Sequence, residues 1–182
     1  MKTASLIAGL SAVALYLLCF QLKSAKKIIA CKLLSSVLYV LQYVLLSAFV
    51  GAAMDSAAVV TSFFAYKKDT KLVKKFKIPI LVVLHLGIVI IGLLLYENPF
   101  SILPIFGVLF ESAAGWMKTE KMIRFISLLA APCWLIYNLV AGAYGSAVGS
   151  VLAIISIILA LVRYSTKHDK KSTSSPPSVP NA

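Results

Sequence analysis

The chain has 182 residues, 60% hydrophobic and 13% charged, with a mean hydropathy of +0.94. A soluble domain is about half apolar and a quarter charged, so this composition excludes a water-soluble globule and calls for lipid as the solvent. The net charge of +12 does not point to nucleic acid, because the Lys and Arg residues form short clusters between apolar runs rather than one exposed basic face.

Seven apolar runs follow in order, at residues 3–20, 28–48, 51–66, 78–96, 100–117, 122–141 and 143–163. Each is near the ~20 residues that cross ~30 Å of hydrocarbon as continuous helix. The first run has a signal peptide as its rival reading. Lys23, Lys26 and Lys27 follow it directly and the next apolar run begins at once, so it reads as a retained helix. The expected fold is all-α and multi-pass. Residues 165–182, with their Ser-Thr-Ser-Ser-Pro-Pro stretch, are expected to be a disordered tail.

The basic clusters alternate. They follow run one (Lys23, Lys26, Lys27), run three (Lys67, Lys68, Lys71, Lys74, Lys75, Lys77), run five (Lys118, Lys121, Arg124) and run seven (Arg163, Lys167, Lys170, Lys171). The connections after runs two, four and six hold no Lys or Arg. All four clusters therefore fall on one face, which the positive-inside rule makes cytoplasmic, leaving the N-terminus outside and the C-terminus in the cytoplasm.

A shift of 95 residues lays the chain on itself without a gap. Lys23 falls on Lys118, Lys26 on Lys121, Tyr39 on Trp134, and Gln42-Tyr43 on Tyr137-Asn138. Runs one to three match runs five to seven. The expected organisation is a first three-helix repeat (1–66), a basic loop and linker helix (67–97), a second repeat (98–164) and the tail. A three-helix unit ends on the side opposite its start, so one extra crossing makes the second unit parallel to the first.

This 3+1+3 layout resembles the SWEET and PQ-loop group of small transporters. On Ser101-Ile-Leu-Pro-Ile-Phe-Gly107 and Cys133-Trp-Leu-Ile-Tyr-Asn-Leu-Val-Ala-Gly-Ala-Tyr-Gly145, the chain more closely resembles the YgjV family of bacterial inner membrane proteins. That resemblance implies a fold and a place in the bacterial inner membrane, not a substrate. The chain lacks a Pro-Gln dipeptide, the mark of PQ-loop proteins proper.

Polar groups at membrane depth are costly, so each is a candidate for function. Glu111 lies about ten residues into run five, roughly 15 Å down by helical rise; it is either a solute or proton site or a carboxyl held by a hydroxyl such as Ser112. Asn138 and Gln42 stand near the outer ends of runs six and two, placed to bond a polar solute or to join helices. Trp134, Tyr137, Tyr39 and Tyr43 either line a cavity or form an aromatic belt at the outer interface. Pro104 and Pro132 are candidate hinges in runs five and six. Gly145 and Gly149 make a small-residue face for close helix contact. Asp55 opens run three near the outer surface and is either a gate residue or a solvated carboxylate at a helix start, and His85 stands alone in run four. Cys19, Cys31 and Cys133 have no metal-ligand spacing, and no nucleotide, zinc or hydrolase motif occurs. The expectation is thus a small-solute transporter, not an enzyme, with neither metal nor cofactor. The rival is a non-transporting scaffold or accessory subunit. The expected partners are the lipid bilayer, a small polar solute and a second copy of the chain.

Overall fold

The computed structural model describes the backbone of residues 2–172 and the side chains of residues 4–163. The helices are α1 (Lys2–Gln21), α2 (Ala25–Leu45), α3 (Phe49–Tyr66), the single turn α4 (Lys71–Lys75), α5 (Lys77–Leu94), a 3₁₀ turn (Pro99–Ser101), α6 (Ile102–Gly115), α7 (Glu120–Val140) and α8 (Tyr144–Ser172). Among the described residues, six helices are long and apolar enough to span a bilayer. The fifth run is shorter: the apolar helix Pro99–Gly115 has fewer than 18 residues, about the minimum that spans hydrocarbon without local thinning. Their outer faces carry large exposed apolar side chains, such as Ile7 on α1, Ile78 and Leu94 on α5, and Val148 on α8. Such a surface suits lipid and not water.

Two boundaries differ from the sequence reading. The segment 67–77, read as a loop, contains the α4 turn. The expected tail is helical up to Ser172, because residues 165–172 contain neither Gly nor Pro to stop α8. Residues 173–182 of the expected disordered tail lie outside the described residues.

The helix ends follow the 95-residue offset. Ala25–Leu45 maps end for end onto Glu120–Val140, and Phe49 onto Tyr144. Two helix stops repeat atom for atom. After α2, Ser47 takes the left-handed conformation (φ 57°) and the Ala48 N–H bonds the Tyr43 carbonyl at 3.0 Å. After α7, Gly142 does the same (φ 70°) and the Ala143 N–H bonds the Asn138 carbonyl at 2.9 Å. Both are Schellman stops, in which a left-handed residue turns the chain and returns orphan carbonyls to donors.

Helices α1, α2 and α3 pack in sequence, as do α6, α7 and α8, and the two bundles meet along α1–α8 and α3–α6. The α1–α8 contact is close. A Cβ at Gly149 would stand 2.4 Å from the Val13 side chain. Helix α5 packs against α3 and α6 and buries little besides Ile88 and Gly92.

The basic connections converge at one end of the bundle. Arg124 donates to the carbonyls of Phe20 (3.1 Å) and Leu22 (2.7 Å). Lys68 donates to the carbonyls of Gly115 and Met117, closing the end of α6, and burial pulls its ammonium below the usual lysine value. Lys77 lies over the Trp116 ring, and Arg163 reaches Gln21. An apolar cluster including Phe20, Ile28, Trp116 and Ile123 fills this end. A second, including Val50, Met54, Ile105 and Val108, fills the other.

Candidate functional site

Polar side chains gather between the two apolar clusters. On α2, Lys32, Ser36, Tyr39 and Tyr43 recur at spacings of four, three and four, which places them on one helical stripe. Ala131, Trp134 and Asn138 form the matching stripe on α7, and Asp55, Ala58 and Ser62 that on α3. With Tyr16, Val108, Glu111, Ser150 and Ala153 they enclose a cavity between the two three-helix bundles. The space open to the centre of a water molecule is about 50 Å³. One water needs about 10–15 Å³ by this measure, so the cavity holds a few waters or a ligand of a handful of heavy atoms.

Most of the wall comes in pairs 95 positions apart: Tyr16 with Glu111, Ser36 with Ala131, Tyr39 with Trp134, Tyr43 with Asn138, Asp55 with Ser150, and Ala58 with Ala153. Three bonds join such partners directly. The Tyr16 hydroxyl donates to Glu111 Oε1 at 2.6 Å, Lys32 Nζ donates to Ser127 Oγ at 3.0 Å, and the Tyr43 hydroxyl donates to Asn138 Oδ1 at 2.6 Å.

The charges do not repeat. Lys32 forms a buried ion pair with Glu111, the two side chains being 7% and 11% exposed. Ser127 donates weakly to Oε2, the carboxylate oxygen that Lys32 also meets, at 3.5 Å. Glu111 is therefore held by a lysine, a tyrosine and a serine from three helices. Ser112, one alternative partner read from the sequence, does not hold it: its Oγ is buried and makes no hydrogen bond among the described residues. Lys32 escaped the sequence reading because the other lysines had been assigned to connections. The signal was there: a lone Lys well inside an apolar run is as costly as Glu111 and needs a partner of opposite charge.

Asp55 departs most from expectation. Helix α3 begins at Phe49, so Asp55 sits more than a turn inside it rather than at its solvated start. The residue is 6% exposed, lines the cavity, and among the described residues makes no hydrogen bond or ion pair. The aromatic residues also turn inward: Tyr39, Tyr43 and Trp134 line the cavity instead of forming an interfacial belt. Tyr137 is buried edge-on against Trp134, with ring centroids 6.2 Å apart.

Asn138 lines the cavity, accepting from Tyr43 and donating to Ser150 at 3.3 Å. Gln42 does not: its Oε1 accepts from Ser146 at 3.0 Å, and its side chain fills the notch above Gly9. Pro104 lies in the first turn of α6, where helical N–H groups lack intrahelical partners anyway, so it interrupts nothing. Pro132 lies inside α7 and leaves the carbonyl of residue 128 without its helical donor. His85, on α5, bonds the Leu81 carbonyl at 2.7 Å and takes no part in the cavity. Among the described residues no group of three His, Cys, Asp or Glu side chains is placed to hold a metal.

The Imp-YgjV family model, described as a bacterial inner membrane protein, matches residues 3–168. No curated protein and no solved structure matches the chain. With nearly the whole chain covered and a bundle of lipid-facing helices around it, the protein belongs to the YgjV family and is a multi-pass protein of the bacterial inner membrane.

Proposed function

We propose that this protein is a carrier for a small polar solute, working by alternating exposure of the cavity between its two three-helix bundles, and that it has no enzymatic role. The single observation behind this reading is the cavity: polar groups in hydrocarbon are costly unless paired, and a cluster of them at membrane depth marks a functional site by default. A scaffold needs only a packed apolar centre, whereas here a polar layer separates two apolar clusters.

The reading treats the bundles as parallel repeats about an axis along the membrane normal. Residues in equivalent positions touch each other only near such an axis, and the three direct bonds at an interval of 95 support it. The convergence of the basic connections supports a cytoplasmic face at that end and an N-out, C-in topology. Tyr16–Glu111 and Lys32–Ser127 then lie on the cytoplasmic side of the cavity, and Tyr43–Asn138 on the outer side. Breaking one layer while keeping the other would open the cavity to one compartment at a time. Pro132 is the candidate hinge. The linker helix α5 sits outside this pathway. A 3+1+3 layout of this kind resembles that of the SWEET-like carriers, and the analogy supports the reading at the level of fold alone.

Uptake of small polar solutes into proteoliposomes tests the proposal. Wild type is expected to carry at least one of them above protein-free vesicles. Ala131→Phe, which fills the cavity without touching the ion pair, is expected to abolish uptake in a folded protein, and Glu111→Gln to impair it. Uptake at the wild-type rate by Ala131→Phe would refute the cavity as the route.

A further inference from the structure

The carrier reading leaves open what the cavity recognises, and the charges within it narrow the answer. Lys32 and Glu111 neutralise each other. An anionic solute therefore finds no free cation there. What remains is Asp55, buried in the cavity wall with no partner among the described residues. A bare carboxylate at that depth is too costly to persist, so it must hold either a proton or a cation. The adjoining wall is aromatic: Tyr39 and Tyr43 from α2 and Trp134 from α7. Aromatic faces attract alkylated ammonium ions.

Resting on the carrier reading, we infer that Asp55 exchanges one proton for one small organic ammonium ion. In the empty state the carboxyl keeps its proton. When the ammonium enters, the O–H bond breaks, the proton leaves to water, and the carboxylate pairs with the ammonium against the aromatic wall. Charge in the cavity is the same before and after, so neither state leaves an ion uncompensated. The ligand size follows from the space, a handful of heavy atoms. The other titratable groups of the cavity are Lys32 and Glu111, which stay paired, and the phenols Tyr16, Tyr39 and Tyr43. His85, on the neighbouring α5, is turned to its own helix.

Methylammonium, ethylammonium, tetramethylammonium, sodium and potassium ions, each as the chloride, are added to the purified full-length protein in weakly buffered detergent, and released protons are recorded. An organic ammonium is expected to release protons in proportion to the amount bound. Its apparent affinity should fall up to about tenfold per pH unit where the proton competes. Asp55→Asn should abolish both, and Asp55→Glu should restore part, with thermal unfolding confirming that each variant is folded. Proton release by sodium or potassium alone, release retained in folded Asp55→Asn, or no release with any ion would each overturn the inference. Should wild type carry neutral solutes while no ammonium ion releases protons, the carrier reading stands while the role of Asp55 falls. Should nothing be carried by wild type although ammonium ions release protons, the reverse holds.

Discussion

Replacing Glu111 by Gln leaves the Lys32 ammonium, 7% exposed, facing a neutral amide. The lysine keeps one hydroxyl, Ser127 at 3.0 Å, and the Phe20 ring 5.9 Å away. Removing one partner of a buried ion pair costs about 3–5 kcal/mol, because the other charge is left uncompensated. The Tyr16 hydrogen bond to the carboxylate also weakens from a charged to a neutral one, a loss of about 1 kcal/mol. Against a typical stability of about 5–15 kcal/mol, Glu111→Gln removes a large fraction. Lys32→Met leaves Glu111 buried with two hydroxyl donors and is expected to cost somewhat less, since a carboxyl can take a proton. The double variant Lys32→Met with Glu111→Leu removes both charges and is expected to lie within about 1–2 kcal/mol of wild type. Reversible unfolding in mixed micelles, run as a double-mutant cycle, measures the coupling. A coupling energy below about 0.5 kcal/mol, or a Glu111→Gln variant as stable as wild type, would refute the pairing and with it the account of how α1, α2, α6 and α7 are held at that level.

Other consequences are read in the same assay or by labelling. Ser47→Gly relieves a non-glycine residue at φ 57° and is expected to stabilise by about 0.5–1 kcal/mol, while Gly142→Ala at the matching stop should destabilise by about 1 kcal/mol. Gly149→Ala drives a methyl into the stiff, branched Val13 side chain and should cost about 1–3 kcal/mol, whereas at Gly87, with nothing within 4 Å of an added Cβ, the same change should gain about 0.5–1 kcal/mol. A tag fused after Ala182 should be shielded from a membrane-impermeant reagent in intact cells and become reactive once they are opened; labelling in intact cells would invert the assigned topology.

Much of the fold was legible because lipid imposes a one-dimensional code. Apolar runs of spanning length must be helices, since every backbone polar group has to be satisfied within the run, and the alternation of Lys clusters orders them. The interval of 95 sets Asn138 and Trp134 beside polar and aromatic partners in the first half, but sequence leaves open whether they face a cavity, another helix or the outer interface; the structure puts both in the cavity wall. Glu111 was found by its cost alone. Its partner was not, because Lys32 and Glu111 are 79 positions apart and only the docking of the two bundles brings them together. The same holds for Asp55. Sequence places it near the start of a helix, where a carboxylate normally meets water. Whether it does depends on which way the helix is rotated and what stands opposite, and here α2, α7 and α8 stand opposite and close it in. Hydropathy determines that a segment crosses the membrane. The rotation of that segment about its own axis, and so whether a polar group meets lipid, water or another charge, is decided by side-chain packing between helices far apart in sequence.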